Sequence, residues 1–89
     1  MTPNRKLTDL KNIGSKIASR LNEVGIFSEA DLRFHGPAAT HRMIKEKHPD
    51  ETLAVCYYLY AFEGALQDKH WNDIGQARKA ALKTQLLNP

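Results

Sequence analysis

Eighty-nine residues make one domain, and a hydrophobic fraction of 42% excludes wholesale disorder. No apolar run approaches the roughly 20 residues of a membrane span. The net charge of +3 is uneven: residues 1–20 carry Arg5, Lys6, Lys11, Lys16 and Arg20 against Asp9 alone, while the rest is near balance, which points to a polyanionic partner met at the N-terminal end.

The opening hexapeptide, Met1 to Lys6, reads as a tail. It leads into no apolar signal segment, so the expected location is cytoplasmic. Thr8 is placed to cap a short first helix. A tight turn, Asn12-Ile13-Gly14, follows. Asparagine and glycine tolerate positive φ, so each end of this turn can take a conformation closed to most side chains. Ile13 between them should point inward. A second helix then runs from about Ser15 to Val24, with Ile17, Leu21 and Val24 at helical spacing. Gly25 fits the left-handed position past its end, and Ile26 can fold back onto Leu21.

This stretch resembles the helix-hairpin-helix motif. Leu10, Ile13, Gly14, Ile17, Ala18 and Leu21 fall on its core positions and its second glycine, while Asn12 stands where the first hairpin glycine is usual. The resemblance implies that the hairpin amides from Asn12 through Ser15 to Lys16 bind nucleic-acid phosphate. The physical basis is general, because a helix start has free N–H donors and a partial positive charge. Lys11, Lys16 and Arg20 would add full charges.

Further helix signals recur, with no strand alternation. Ser28 is an N-cap for a third helix, and Phe27 before it can staple onto Leu32. That helix should end near His35, with Gly36 beyond it. Pro37 suits the first turn of a fourth helix, which reaches about Lys47 before His48-Pro49 breaks it. Asp50 then caps the longest helix, Glu51 to about Gln67. It is apolar nearly all round and therefore central to a bundle of five or six helices. Trp71 should fold onto the core, the alternative being that it stacks on a base or a partner protein. Asp73 and Gln76 resemble a capping box for a last helix reaching about Leu86, in which Ala77 and Ala81 suggest close approach to a neighbour. Leu87-Asn88-Pro89 should fray.

Glu63 lies on the apolar side of the central helix. A buried carboxylate needs partners, and an arginine, the Trp71 indole or free helix amides would supply a structural one. No second acid or nucleophile accompanies it, so no active site is expected. His35, His41, His48 and His70 form no i, i+4 pair, and Cys56 is alone. The sequence therefore offers no metal site and no cofactor motif.

A wider set of motifs agrees in order. Leu7-x-x-Leu10-x-Asn12-Ile13-Gly14, Leu21-Asn-x-x-Gly25-Ile26, Leu32-x-x-His35-Gly36, Leu59-Tyr60-Ala-Phe62-Glu63-Gly64-Ala65 and His70-Trp71 are together similar to the C-terminal domain of the TfoX/Sxy competence-regulator family. The resemblance spans about Leu7 to Leu82. It implies an all-α, helix-hairpin-helix or SAM-like domain without catalytic residues, domain limits near 7 and 87, and a role in competence or transcription regulation. Full-length family members add an N-terminal domain and promote DNA-uptake genes together with the cyclic-AMP receptor protein. The expected partner is DNA, held weakly and without sequence preference, or a regulatory protein in the SAM-like alternative.

Overall fold

The structure, a computed structural model, describes residues 4–87. Five α-helices follow one another: α1 (Ser15–Glu23), α2 (Glu29–His35), α3 (Pro37–Lys47), α4 (Leu59–Gln67) and α5 (Gln76–Leu87). Single 3-10 turns stand at Leu7–Asp9 and Trp71–Asp73. Among the described residues the only β pairing is one antiparallel bridge, Lys6 with Ser28.

α4 is the partition of the domain. Every residue from Leu59 to Ala65 is buried. Phe62 and Ala65 join the larger hydrophobic cluster with Leu10, Ile13, Leu21, Ile26, Leu32 and Ile44. Leu59 and Tyr60 join a smaller one with Ala38, Ile74 and Leu82. A helix with a separate apolar cluster on each side can have no polar face, which is why its sequence reads as apolar all round.

This central helix is shorter than the sequence predicts. It begins at Leu59 rather than Glu51, so Asp50 caps nothing, and residues 55–58 form turns. The reason is geometric. Leu53 and Tyr58 both enter the larger cluster. On one continuous helix, five residues apart, they would face directions about 140° apart. Breaking the helix lets both reach it. The Tyr58 ring then packs edge-on to Phe62 at 6.2 Å and to His41 at 6.3 Å, and the Tyr60 N–H reaches back to the Val55 carbonyl at 2.8 Å.

The first predicted helix is likewise reduced to the 3-10 turn Leu7–Asp9, and Thr8 lies inside it rather than capping it. One such turn brings positions i and i+3 onto one side, which is all that burying Leu7 and Leu10 requires. α1 ends as expected. Gly25 has φ +83°, its N–H donates to the Asn22 carbonyl at 3.1 Å, and the Ile26 N–H donates to Leu21 at 3.0 Å.

α2 starts by different means from those its sequence suggests. Ser28 occupies the N-cap position but its hydroxyl caps nothing. The Glu29 N–H donates to the Arg5 carbonyl at 3.0 Å, and the Ala30 N–H donates to the Asn4 Oδ1 at 2.8 Å. The segment from Asn4 to Lys6, expected as tail, is therefore part of the folded domain. Phe27 does not staple onto Leu32; it stays 64% exposed, with its N–H held by the Asp31 carboxylate at 3.0 Å.

Arg5 also reaches the buried carboxylate of Glu29 at 3.0 Å and the exposed one of Asp68 at 2.8 Å. Arg33 approaches Glu29 from the other side at 3.2 Å. The Arg5 side-chain hydrogen bond holds the Glu29 carboxyl at about 2, against the opposing effect of burial.

Gly36, Pro37 and His48 act as read from the sequence, closing α2, opening α3 and ending it. At α5 the capping box does not form. Asp73 belongs to the preceding 3-10 turn, and Gly75, φ +91°, leads into the helix, its carbonyl accepting from Lys79 N–H at 3.0 Å. Ala77 is exposed, and α5 packs instead through Leu82, with Ile74 just before it. Asn88 and Pro89 lie outside the described residues.

Candidate functional site

The turn between Leu10 and α1 is held by one residue. Asn12 has φ +72°, the left-handed conformation that asparagine accepts more readily than most residues. Its side chain spans to the far end of α4: Nδ2 donates to the carbonyls of Lys69 at 2.9 Å and Ala61 at 3.3 Å, and Oδ1 accepts from the Trp71 N–H at 3.1 Å. Asparagine thus supplies both the backbone geometry and a clamp. Glycine at this position would supply only the geometry. Gly64 completes the joint. A Cβ there would lie 2.6 Å from the Asn12 Nδ2 and 2.6 Å from the Lys69 carbonyl oxygen.

Gly14 departs from expectation. Its backbone, φ −90° and ψ −178°, is ordinary extended geometry, and a Cβ there would meet nothing within 4 Å. Neither conformation nor packing requires glycine. What it provides is bare backbone at the start of α1, beside amides of Ser15, Lys16 and Ile17 that meet no acceptor among the described residues. Ile13, as predicted, is buried beneath the turn.

The basic residues divide. Lys11 and Lys16 are exposed, and no ion pair among the described residues involves them. Arg20 is committed elsewhere. Its guanidinium meets Glu51 at 2.8 Å and the His48 ring at 2.8 Å, and His48 continues to Glu23 at 2.5 Å. The hydrogen bond from His48 holds the Glu23 carboxyl below its ordinary range. Arg20 therefore ties α1 to the end of α3.

Beside the hairpin opens a cleft of about 550 Å³, lined by Asn12, Lys16, Ile17, Tyr57, Tyr58, Ala61, His70 and Trp71. Its walls are mainly apolar. Trp71 packs against the smaller cluster, as expected, but is only half-buried. The Tyr57 ring is 63% exposed and lies 6.3 Å from the Trp71 ring, while His70 stacks at a tilt on the indole at 5.3 Å. The sequence reading placed Tyr57 inside the long central helix and gave His70 no role. The only signal for Tyr57 is the end of that helix at Leu59, which its neighbours set from a distance.

Glu63 has the structural partner its position demands. Arg78 from α5 donates to one carboxylate oxygen at 2.9 Å, and Gln67 donates to the other. Among the described residues no group of three His, Cys, Asp or Glu side chains could hold a metal ion, and no helix is long and apolar enough to cross a membrane.

These features define a small all-helical domain presenting a helix start and an adjoining aromatic cleft. Over residues 3–86 the sequence matches the family described as the TfoX C-terminal domain, and the chain belongs to that family. Two solved structures are similar, both from Listeria monocytogenes. One is described as an uncharacterized protein in a triclinic form, with 31% identity, a TM-score of 0.77, and coverage of 91% of this chain and 86% of that one. The other is described as a protein of unknown function in a tetragonal form, with 32% identity, a TM-score of 0.77, and coverage of 89% and 94%. No curated protein matches the sequence.

Proposed function

We propose that this domain is a non-enzymatic accessory module of a competence-type regulator that contacts the nucleic-acid backbone through the hairpin, in the manner of helix-hairpin-helix domains. The observation that carries the reading is Gly14, a glycine the fold does not need, set at an uncapped helix start. A bare backbone allows a phosphate oxygen to approach the amides of Ser15 and Lys16, and the positive end of the helix favours the anion. Lys11 and Lys16 add charge on either side of the turn. Such contacts read no bases and weaken with salt, with a slope near −0.9 per neutralised phosphate.

The test is fluorescence anisotropy of a random-sequence DNA duplex at low and physiological salt. Binding should be micromolar at low salt and lost steeply as salt rises. Lys16→Glu should abolish it. Gly14→Ala should weaken it while shifting the melting temperature little, since the site has room for a methyl group and the gain from restraining the unfolded chain opposes the loss of a better N-cap residue. Equal affinity in a folded Gly14→Ala variant sinks the backbone contact.

A second reading, a SAM-like protein-interaction module, is favoured by a different feature. Phe27 and Phe34 are 64% and 85% exposed, and large exposed aromatics are enriched at interfaces between proteins. Light scattering over a concentration series would reveal self-association. A strict monomer would restrict this reading to a hetero-partner.

A further inference from the structure

We propose that the cleft beside the hairpin receives an unpaired nucleobase, so that the strand this domain prefers is single-stranded. The proposal rests on the backbone contact argued above and names its substrate class.

Several observations converge on a flat aromatic guest. The cleft volume, about 550 Å³, falls in the roughly 300–1,000 Å³ range of small-ligand sites. Its wall includes the Tyr57 and Trp71 rings, meeting edge to face at 6.3 Å. Tyr57 stays out of both hydrophobic clusters and is 63% exposed, which leaves ring surface for a guest to cover. The Asn12 amide on the cleft wall donates to two backbone carbonyls through Nδ2, and its oxygen accepts from the Trp71 N–H. It has no donor left to read a base edge. With that amide occupied and the walls mainly apolar, stacking is the chief contact the cleft offers, as in sequence-tolerant single-strand binding.

Charge decides between a base and an apolar peptide side chain. Lys16 stands on the rim of the cleft and is exposed, and Lys11 is exposed one residue before Asn12. A nucleotide offers a phosphate to that rim while its base enters the cleft. In a fully paired duplex the bases are stacked internally and cannot do both.

Trp71 is the chain's single tryptophan, so its emission reports directly on the cleft. The experiment titrates the full chain with oligothymidylate and with a duplex of equal length, following Trp71 emission and, in parallel, the anisotropy of the labelled nucleic acid. Saturable quenching by the single strand, tighter binding of it than of the duplex, and an approximately tenfold affinity loss in Tyr57→Ala that Tyr57→Phe restores are the expected results. Tyr57→Ala should lower single-strand affinity more than duplex affinity. Binding of both forms by anisotropy with no change in Trp71 emission overturns the cleft proposal and leaves the backbone contact standing. Absence of binding to either form overturns both.

Discussion

Asn12 and Trp71, 59 positions apart in the chain, are joined by a 3.1 Å hydrogen bond from the Trp71 N–H to the Asn12 Oδ1. That bond fixes the hairpin against the end of α4 and sets the width of the cleft between them. Asn12→Gly separates the two roles of the residue, because glycine keeps the positive φ and loses the clamp. Three hydrogen bonds of modest net worth disappear, and stability should fall by about 2 kcal/mol in urea unfolding. Asn12→Ala, which also meets the steric cost of the left-handed backbone, should lose about 1 kcal/mol more.

Gly64 should tolerate no side chain. An added methyl group in Gly64→Ala would lie 2.6 Å from both the Asn12 amide nitrogen and the Lys69 carbonyl oxygen. Alanine's better helix propensity, about 1 kcal/mol, is outweighed by overpacking against backbone, so a net loss of about 2 kcal/mol is expected. Combined with Asn12→Gly, one of the two clashes vanishes. The double variant should therefore lose less than the sum of the single ones, a coupling that denaturant unfolding of all four proteins measures.

The Arg5–Glu29 pair sets an acid limit. Glu29 ionises at about 2 in the folded chain against an ordinary 4.5. A carboxyl with a lowered folded value contributes stability that is complete above its unfolded value and is lost as pH falls through the folded one. Thermal melts should thus show this contribution fading between about pH 4.5 and pH 2. Arg5→Ala should be destabilised near neutrality, by less than a fully broken buried pair would cost, because Arg33 remains at 3.2 Å. The gap between variant and parent should narrow as acid protonates Glu29.

His41 gives a second pH dependence of separate origin. Burial pushes its imidazole below the ordinary value of 6.5, and Lys45 and Arg42 add to that. The folded state then binds the proton less well than the unfolded chain, so stability falls as pH drops below about 6.5. His41→Leu should flatten the stability profile between pH 7 and pH 5. If the slope persists unchanged in this variant, His41 is not its source.

The helix ends were readable because they are local chemistry: Gly25, Gly36-Pro37 and His48-Pro49 each act on their own backbone. What escaped depends on residues far apart in sequence. The helix predicted from Glu51 yields to Leu53 and Tyr58, which compete for one hydrophobic cluster, and periodicity carries no sign of that. Arg20 counts as a hairpin charge in any sequence tally, yet Glu51, 31 positions later, neutralises it. The segment Asn4 to Lys6 reads as a polar tail because its partners, the free amides of α2 and the carboxylates of Glu29 and Asp68, are visible only in three dimensions. Of the residues around the cleft, Asn12 and Lys16 were singled out from spacing, whereas Tyr57 and His70 were not.

α4 has nine residues, and an isolated helix shorter than about 12–15 is marginal in water. The segment that both clusters share is thus one that cannot form alone. Folding of this domain should be all-or-none, since neither cluster can assemble on half a partition. Cleaving the exposed chain at Pro49 or Asp50 should yield two fragments, each without its tertiary structure, that recover helicity only when mixed.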